Sequence, residues 1–107
     1  MNNSKLKDMV NGWFIGAFKP TAYETNACEV AVKSYKAGDH DQRHYHKVAT
    51  EISLVFVGKI RMLDKDWESG DIIVVKPGEM CEFTALTDTT MVVVKLPGVL
   101  GDKYIAQ

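Results

Sequence analysis

The chain has 107 residues and a mass of 12.0 kDa, enough for one domain that buries a single core or lines a single barrel. Hydrophobic residues at 46% and charged residues at 25% exclude a disordered chain. A formal net charge of -1 and a pI near 6.3 leave no footprint for nucleic acid or for an anionic membrane.

Residues 1–11 are polar and read as irregular, with at most a helical turn over 4–9. A short strand is expected over 13–18, ended at Pro20 because proline offers no ladder donor. That segment is interrupted by Gly16 and lacks a signal-peptide layout, and no apolar run reaches the roughly 18 residues of a bilayer span. Cys28 and Cys81 are too few for a disulfide framework in so small a chain, so a reducing, cytoplasmic location is the expectation.

Residues 28–35 alternate, with Cys28, Val30 and Val32 on one face and Glu29, Ala31 and Lys33 on the other, the period of a half-buried strand. Turn residues at 36–39 lead to a third strand over 43–47, and a β-branched and aromatic run predicts a fourth over 51–57. Further strands are expected over 60–63, 71–76, 81–86 and 90–96, with 64–70 a polar connection and Pro77-Gly78 a turn. The tail 99–107 reads as an extra strand or a loose terminus. Many short strands at regular spacing, with short connections, give an all-β antiparallel fold, a sandwich or a barrel, in one domain over 1–107.

The chemistry gathers between Gly38 and Gly58. His44 and His46 stand two apart, so on a strand they share a face about 7 Å from one another. Glu51 follows after four residues. If the chain turns there and begins a neighbouring strand, Glu51 faces the imidazoles across the ladder. A metal ion is the simplest reason for three such groups to converge.

Those residues resemble the first motif of the cupin family, G-x5-H-x-H-x(3,4)-E-x6-G, which Gly38, His44, His46, Glu51 and Gly58 meet at every position. The second cupin motif, G-x5-P-x-G-x2-H-x3-N, is only partly met. Gly70 and Gly78 are in place, whereas Lys76, Cys81 and Ala85 stand at the proline, histidine and asparagine positions. The resemblance spans roughly residues 28–96 and implies an antiparallel jelly-roll β-barrel. It also implies that His44, His46 and Glu51 are ligands of one divalent transition metal, with iron, zinc, manganese or nickel as candidates. Cys81 then stands either as a fourth, thiolate ligand or as a small apolar wall residue.

Other residues carry weaker expectations. His40 is expected in solvent, and Glu82 should point away from the site by strand parity. Tyr35, Tyr45 and Arg61 are within reach of the barrel, though Arg61 reads as a solvated edge residue. Trp67 is expected to cap an apolar edge or a dimer contact. Lys76 and Lys95 end strands near a mouth and are weak candidates for a base. No nucleophile elbow or phosphate-cradling glycine loop is present.

The reading is a small metal-binding cupin that binds or acts on a small polar metabolite, a sugar or an organic acid. If it is an enzyme, it is a dioxygenase, isomerase or lyase. Two alternatives stay open: a non-catalytic binding or regulatory module, and a metal-free sugar isomerase or epimerase. A homodimer is expected, as cupins often exchange edge strands, and the 13–18 segment is the candidate edge.

Overall fold

The computed structural model describes residues 1–106. After two 3₁₀ turns, Leu6–Asp8 and Val10–Gly12, ten strands follow. They are β1 (Trp13–Ile15), β2 (Glu29–Tyr35), β3 (His40–Tyr45), β4 (Thr50–Val57) and β5 (Lys59–Met62), then β6 (Lys65–Glu68), β7 (Ile72–Val75), β8 (Cys81–Ala85), β9 (Thr89–Leu96) and β10 (Tyr104–Ile105). They form two five-stranded sheets, ordered β1-β2-β9-β4-β7 and β10-β3-β8-β5-β6, and every ladder is antiparallel. The fold is a jelly-roll barrel, as the cupin resemblance implies; strand spacing alone left a sandwich or a barrel open.

The barrel interior changes character along its length. At one end Val55, Ile60, Ile73 and Ala85 pack into a closed apolar core. Toward the other end the inward positions turn polar: β4 runs from Val55 through Ser53 to Glu51, and β9 from Met91 through Val93 to Lys95. Glu29, Lys95 and Glu51 lie in one line across three paired strands. A strand that carries carboxylates and amines inward needs a solvated interior at that end, so the core fills half of the barrel and the other half is a chamber.

Gly58, which closes the first motif, turns β4 into β5 with φ at 113°. A Cβ there would stand 2.5 Å from the Thr89 hydroxyl and 2.6 Å from the Asp88 carbonyl, so the β4–β5 corner admits no side chain.

The structure departs from some local expectations and adds to others. The stretch expected as a polar connection holds β6, an edge strand paired with β5 through Ile60 and Trp67. Its polarity is that of a strand exposed on one face and at one edge. Arg61 accordingly sits on an inner strand, although exposed, where it pairs with Asp66 at 2.9 Å. In β2 the face carrying Val30 and Val32 points outward, while Glu29, Ala31 and Lys33 point into the barrel. The 13–18 strand is shorter than expected and pairs with β2 of its own chain.

Candidate metal and ligand site

β3 carries one extra residue relative to β8: Asp41 pairs with Phe83 and His44 with Cys81, three steps on one strand against two on the other. This bulge brings Asp41 and His44, an odd number apart, to the same inner face. The chain then leaves β3, passes His46 and crosses to β4 in the opposite sheet. Glu51 therefore faces His44 through the barrel interior, rather than across a ladder as expected from sequence.

The resulting chamber has a volume of about 70 Å³ and is lined by His44, Glu51 and Cys81, with Lys33, Asp41 and Lys95 among its other polar walls. His46 is buried next to His44, their rings edge to face at 5.3 Å between centroids, but it is not part of the lining. Among the described residues no group of three histidine, cysteine, aspartate or glutamate side chains stands clustered as a metal-holding set.

The individual donors are nevertheless prepared. His44 Nδ1 lies 2.7 Å from the Gln42 carbonyl, which can only accept, so Nδ1 carries a proton and Nε2 is the nitrogen whose lone pair the neutral ring offers. His46 is 2% exposed, and its Nε2 is buried without a hydrogen-bond partner. Burial, with Lys95 and His44 adding to it, pulls His46 down to about 4, so it is a neutral imidazole at neutral pH. An uncharged, unpartnered buried imidazole nitrogen suits a cation that shares its lone pair. Cys81 stands opposite His44 on β8, and burial, reinforced by Glu51 and Asp41, pushes its thiol up to about 12. Without a cation it is a protonated wall residue.

The loop between His46 and Glu51 is clamped from the far end of the chain. Asp102 is buried, and its carboxylate accepts hydrogen bonds from the backbone N–H groups of Lys47 (2.9 Å), Val48 (3.1 Å) and Ala49 (2.9 Å). From the other side, the Gly78 N–H donates to the His46 carbonyl at 2.7 Å, which ties the second-motif turn to the first. Gly78 holds φ at 85°, a conformation that glycine takes without steric cost.

The remaining candidates sort cleanly. His40 is exposed and contacts Thr84 and Glu82 on the outer face of the sheet, and Glu82 itself is exposed. Tyr35 lines the chamber, whereas Tyr45 stacks on Tyr104. Trp67 packs against the core with its Nε1–H donating to the Met62 carbonyl. Lys95 reaches the chamber, and Lys76 is exposed outside it. Sequence reading missed Trp13, Asp41, Lys33 and Lys103 as chamber residues and Asp102 as the loop clamp. Only the alternation of β2 carried a signal, for Lys33.

No family model and no curated protein matches the chain. Solved structures do. A protein with a double-stranded β-helix domain from Klebsiella pneumoniae is 24% identical over 77% of this chain and 72% of its own, with a TM-score of 0.71. A cupin protein from Bacteroides fragilis is 19% identical over 78% of this chain and 80% of its own, with a TM-score of 0.60. Bacillus subtilis oxalate decarboxylase, described with Mn(II) centres, is 17% identical over 76% of this chain but only 24% of its own, with a TM-score of 0.64.

Proposed function

The chain has the cupin fold, and from that premise we propose that it holds one divalent transition metal through His44, His46 and Glu51 and binds a small polar metabolite beside it. The observation that carries this reading is the buried, unpartnered Nε2 of His46 next to a His44 whose tautomer leaves its own Nε2 free. The Mn(II) centres of oxalate decarboxylase, on the same fold, add support for a metal in this kind of barrel. A bound metal would supply a Lewis acid for a chelated carboxylate, enolate or vicinal diol. The chain itself closes the far end of the barrel with its apolar half, orients His44 through the Gln42 carbonyl, and holds the 47–49 loop through Asp102. Iron at such a site serves dioxygen chemistry; zinc, manganese or nickel serves isomerase or lyase steps. A cytoplasmic setting suits the two free thiols.

Protein purified without a histidine tag or chelator is expected to carry close to one divalent metal per chain by elemental analysis. Replacing both His44 and His46 by alanine should abolish it. Wild-type protein that stays metal-free after incubation with iron, zinc, manganese and nickel salts would sink the proposal. Cys81→Ser should leave the metal content unchanged if the thiol is a wall, and lower it if sulfur is a ligand. A non-catalytic binding module is favoured by the departures at Lys76, Cys81 and Ala85, and metal-dependent turnover of small organic acids separates the two readings.

We also infer a homodimer. The outward face of the β1-containing sheet presents Val30 and Val32, Ile52 and Leu54, Val92 and Val94, and Ile72 and Val74 on four neighbouring strands, with Ile72 63% exposed. One sheet face of this kind can meet its own copy about a two-fold axis. Sedimentation equilibrium should give twice the chain mass, and Ile52→Lys should give the monomer. A wild-type monomer at tens of micromolar would refute it.

A further inference from the structure

Two ammonium groups in the chamber have no partner of opposite charge. Lys33 on β2 and Lys95 on β9 both line it, and their Nζ atoms stand 5.6 Å and 5.0 Å from the centroid of the Trp13 ring. Among the described residues neither has a carboxylate within 4.0 Å, whereas Lys103, the third lysine of the lining, is paired with Asp41 at 3.0 Å. Glu51 and Glu29 flank Lys95 along the ladder without closing an ion pair. In the reading above, Glu51 is committed to the metal, which leaves Lys95 still less compensated.

Lys33 and Lys95 are half-buried, and an indole face offsets part of the desolvation cost of two neighbouring cations, and only part. Three ammonium groups against the carboxylates of Asp41 and Glu51 leave the lining net positive before any metal is counted. Such a lining attracts an anion. The chamber is small, about 70 Å³, which favours a short carbon skeleton. The character of the anion is bounded by the remaining walls. Met62, Met91, Phe83 and Val93 offer apolar contact to a short carbon stem, which a bare inorganic anion would leave unused. A larger groove of about 340 Å³ shares Trp13, Lys95 and Lys103 with the chamber, so an entering anion would meet Lys95 and Lys103 first.

We propose that the chamber takes the anion of a small carboxylic acid, with a carboxylate held between Lys33 and Lys95 at Trp13. This rests on the chamber being the ligand site described under Proposed function, but the lysine contacts do not require the metal. The charge of the lining selects an organic acid over a neutral sugar.

The test is a fluorescence titration of Trp13 in a Trp67→Phe background, which leaves one indole, using malonate, malonamide and inorganic phosphate. It is run on chelator-treated protein and again with Mn(II) restored. Malonate should give a saturable change in both forms, malonamide none, and phosphate a weaker one. Lys33→Met and Lys95→Met should each weaken malonate binding about tenfold, as expected for loss of a charge-assisted hydrogen bond. Lys95→Arg should retain it. Equal response to malonate and malonamide, unchanged binding in both methionine variants, or no saturable response in chelator-treated protein overturns the proposal. The wild-type comparison of malonate with malonamide decides the matter even if a methionine variant fails to fold. Malonate selectivity in a protein that never takes up metal would sink the metal reading alone. Metal uptake without malonate selectivity would sink this one alone.

Discussion

Asp102→Ala is expected to destabilise the protein by about 2–4 kcal/mol and to lower the thermal midpoint by roughly 10–20 °C. Its carboxylate is the shared acceptor of three consecutive N–H groups, and a hydrogen bond to a charged acceptor is worth about 1.5–3 kcal/mol. The amides of the exposed Lys47 and Val48 can turn to water when the acceptor is lost; that of buried Ala49 cannot, which keeps the total below the sum of three such bonds. Asp102→Asn retains one acceptor oxygen and should cost less than half as much. Burial alone would raise the Asp102 carboxyl, but the amides of Ala49, Lys47 and Val48 outweigh it and hold the group below its usual 3.8. The contribution is therefore complete above the ordinary carboxylate range and is lost as pH falls through the lowered folded value. Urea unfolding at pH 7 and differential scanning calorimetry read both effects. A midpoint within 2 °C of wild type for the alanine variant would mean that the tail does not clamp the loop.

Lowering the pH from 7.5 to 5 should cost chelator-treated protein about 2 kcal/mol through His46 alone. Its folded value near 4 lies below the 6.5 of a free imidazole, because burial, then Lys95 and His44, disfavour the charged form. The unfolded chain therefore binds the proton that the folded chain refuses. Stability is full above pH 6.5, declines as pH falls toward 4, and levels off below it with roughly 3 kcal/mol lost. His46→Leu, similar in volume and without a titrating group, should remove that portion of the slope. Urea titrations of both proteins at half-unit pH steps give the comparison. Parallel pH profiles for wild type and His46→Leu would show that His46 is not held neutral.

The two features differ in how far the sequence announces them. His46 belongs to a five-position motif at fixed spacing, and the turns at Gly58 and Gly78 follow from local chemistry that glycine alone satisfies. Asp102 lies 53 residues from Ala49, in a tail whose composition says nothing of a cage of amides. Parity at β2 separated the two faces but left open which one points inward. A strand half-buried against a core shows its valines to the interior, but here the interior is a polar chamber and the valines lie on the outer face of the sheet. The bulge in β3 hid Asp41, since one inserted residue shifts every side chain before it to the opposite face. In β6 the polar Lys65-Asp-Trp-Glu68 run looked like a connection because an edge strand with one exposed face has little apolar patterning to show. The motif made the donors legible. That Glu51 faces His44 depends on a crossing between two sheets that no spacing rule contains.

The strand order β2-β9-β4 also bears on how the chain is made. Both flanking strands emerge during synthesis long before the one that separates them, and Glu29 must wait for Lys95, 66 residues later. Until β9 arrives, two valine-rich ribbons have no shared neighbour, so sequential folding as the chain grows is blocked and the barrel closes late and all at once. Nascent chains halted short of Thr89 should therefore be protease-sensitive and chaperone-bound.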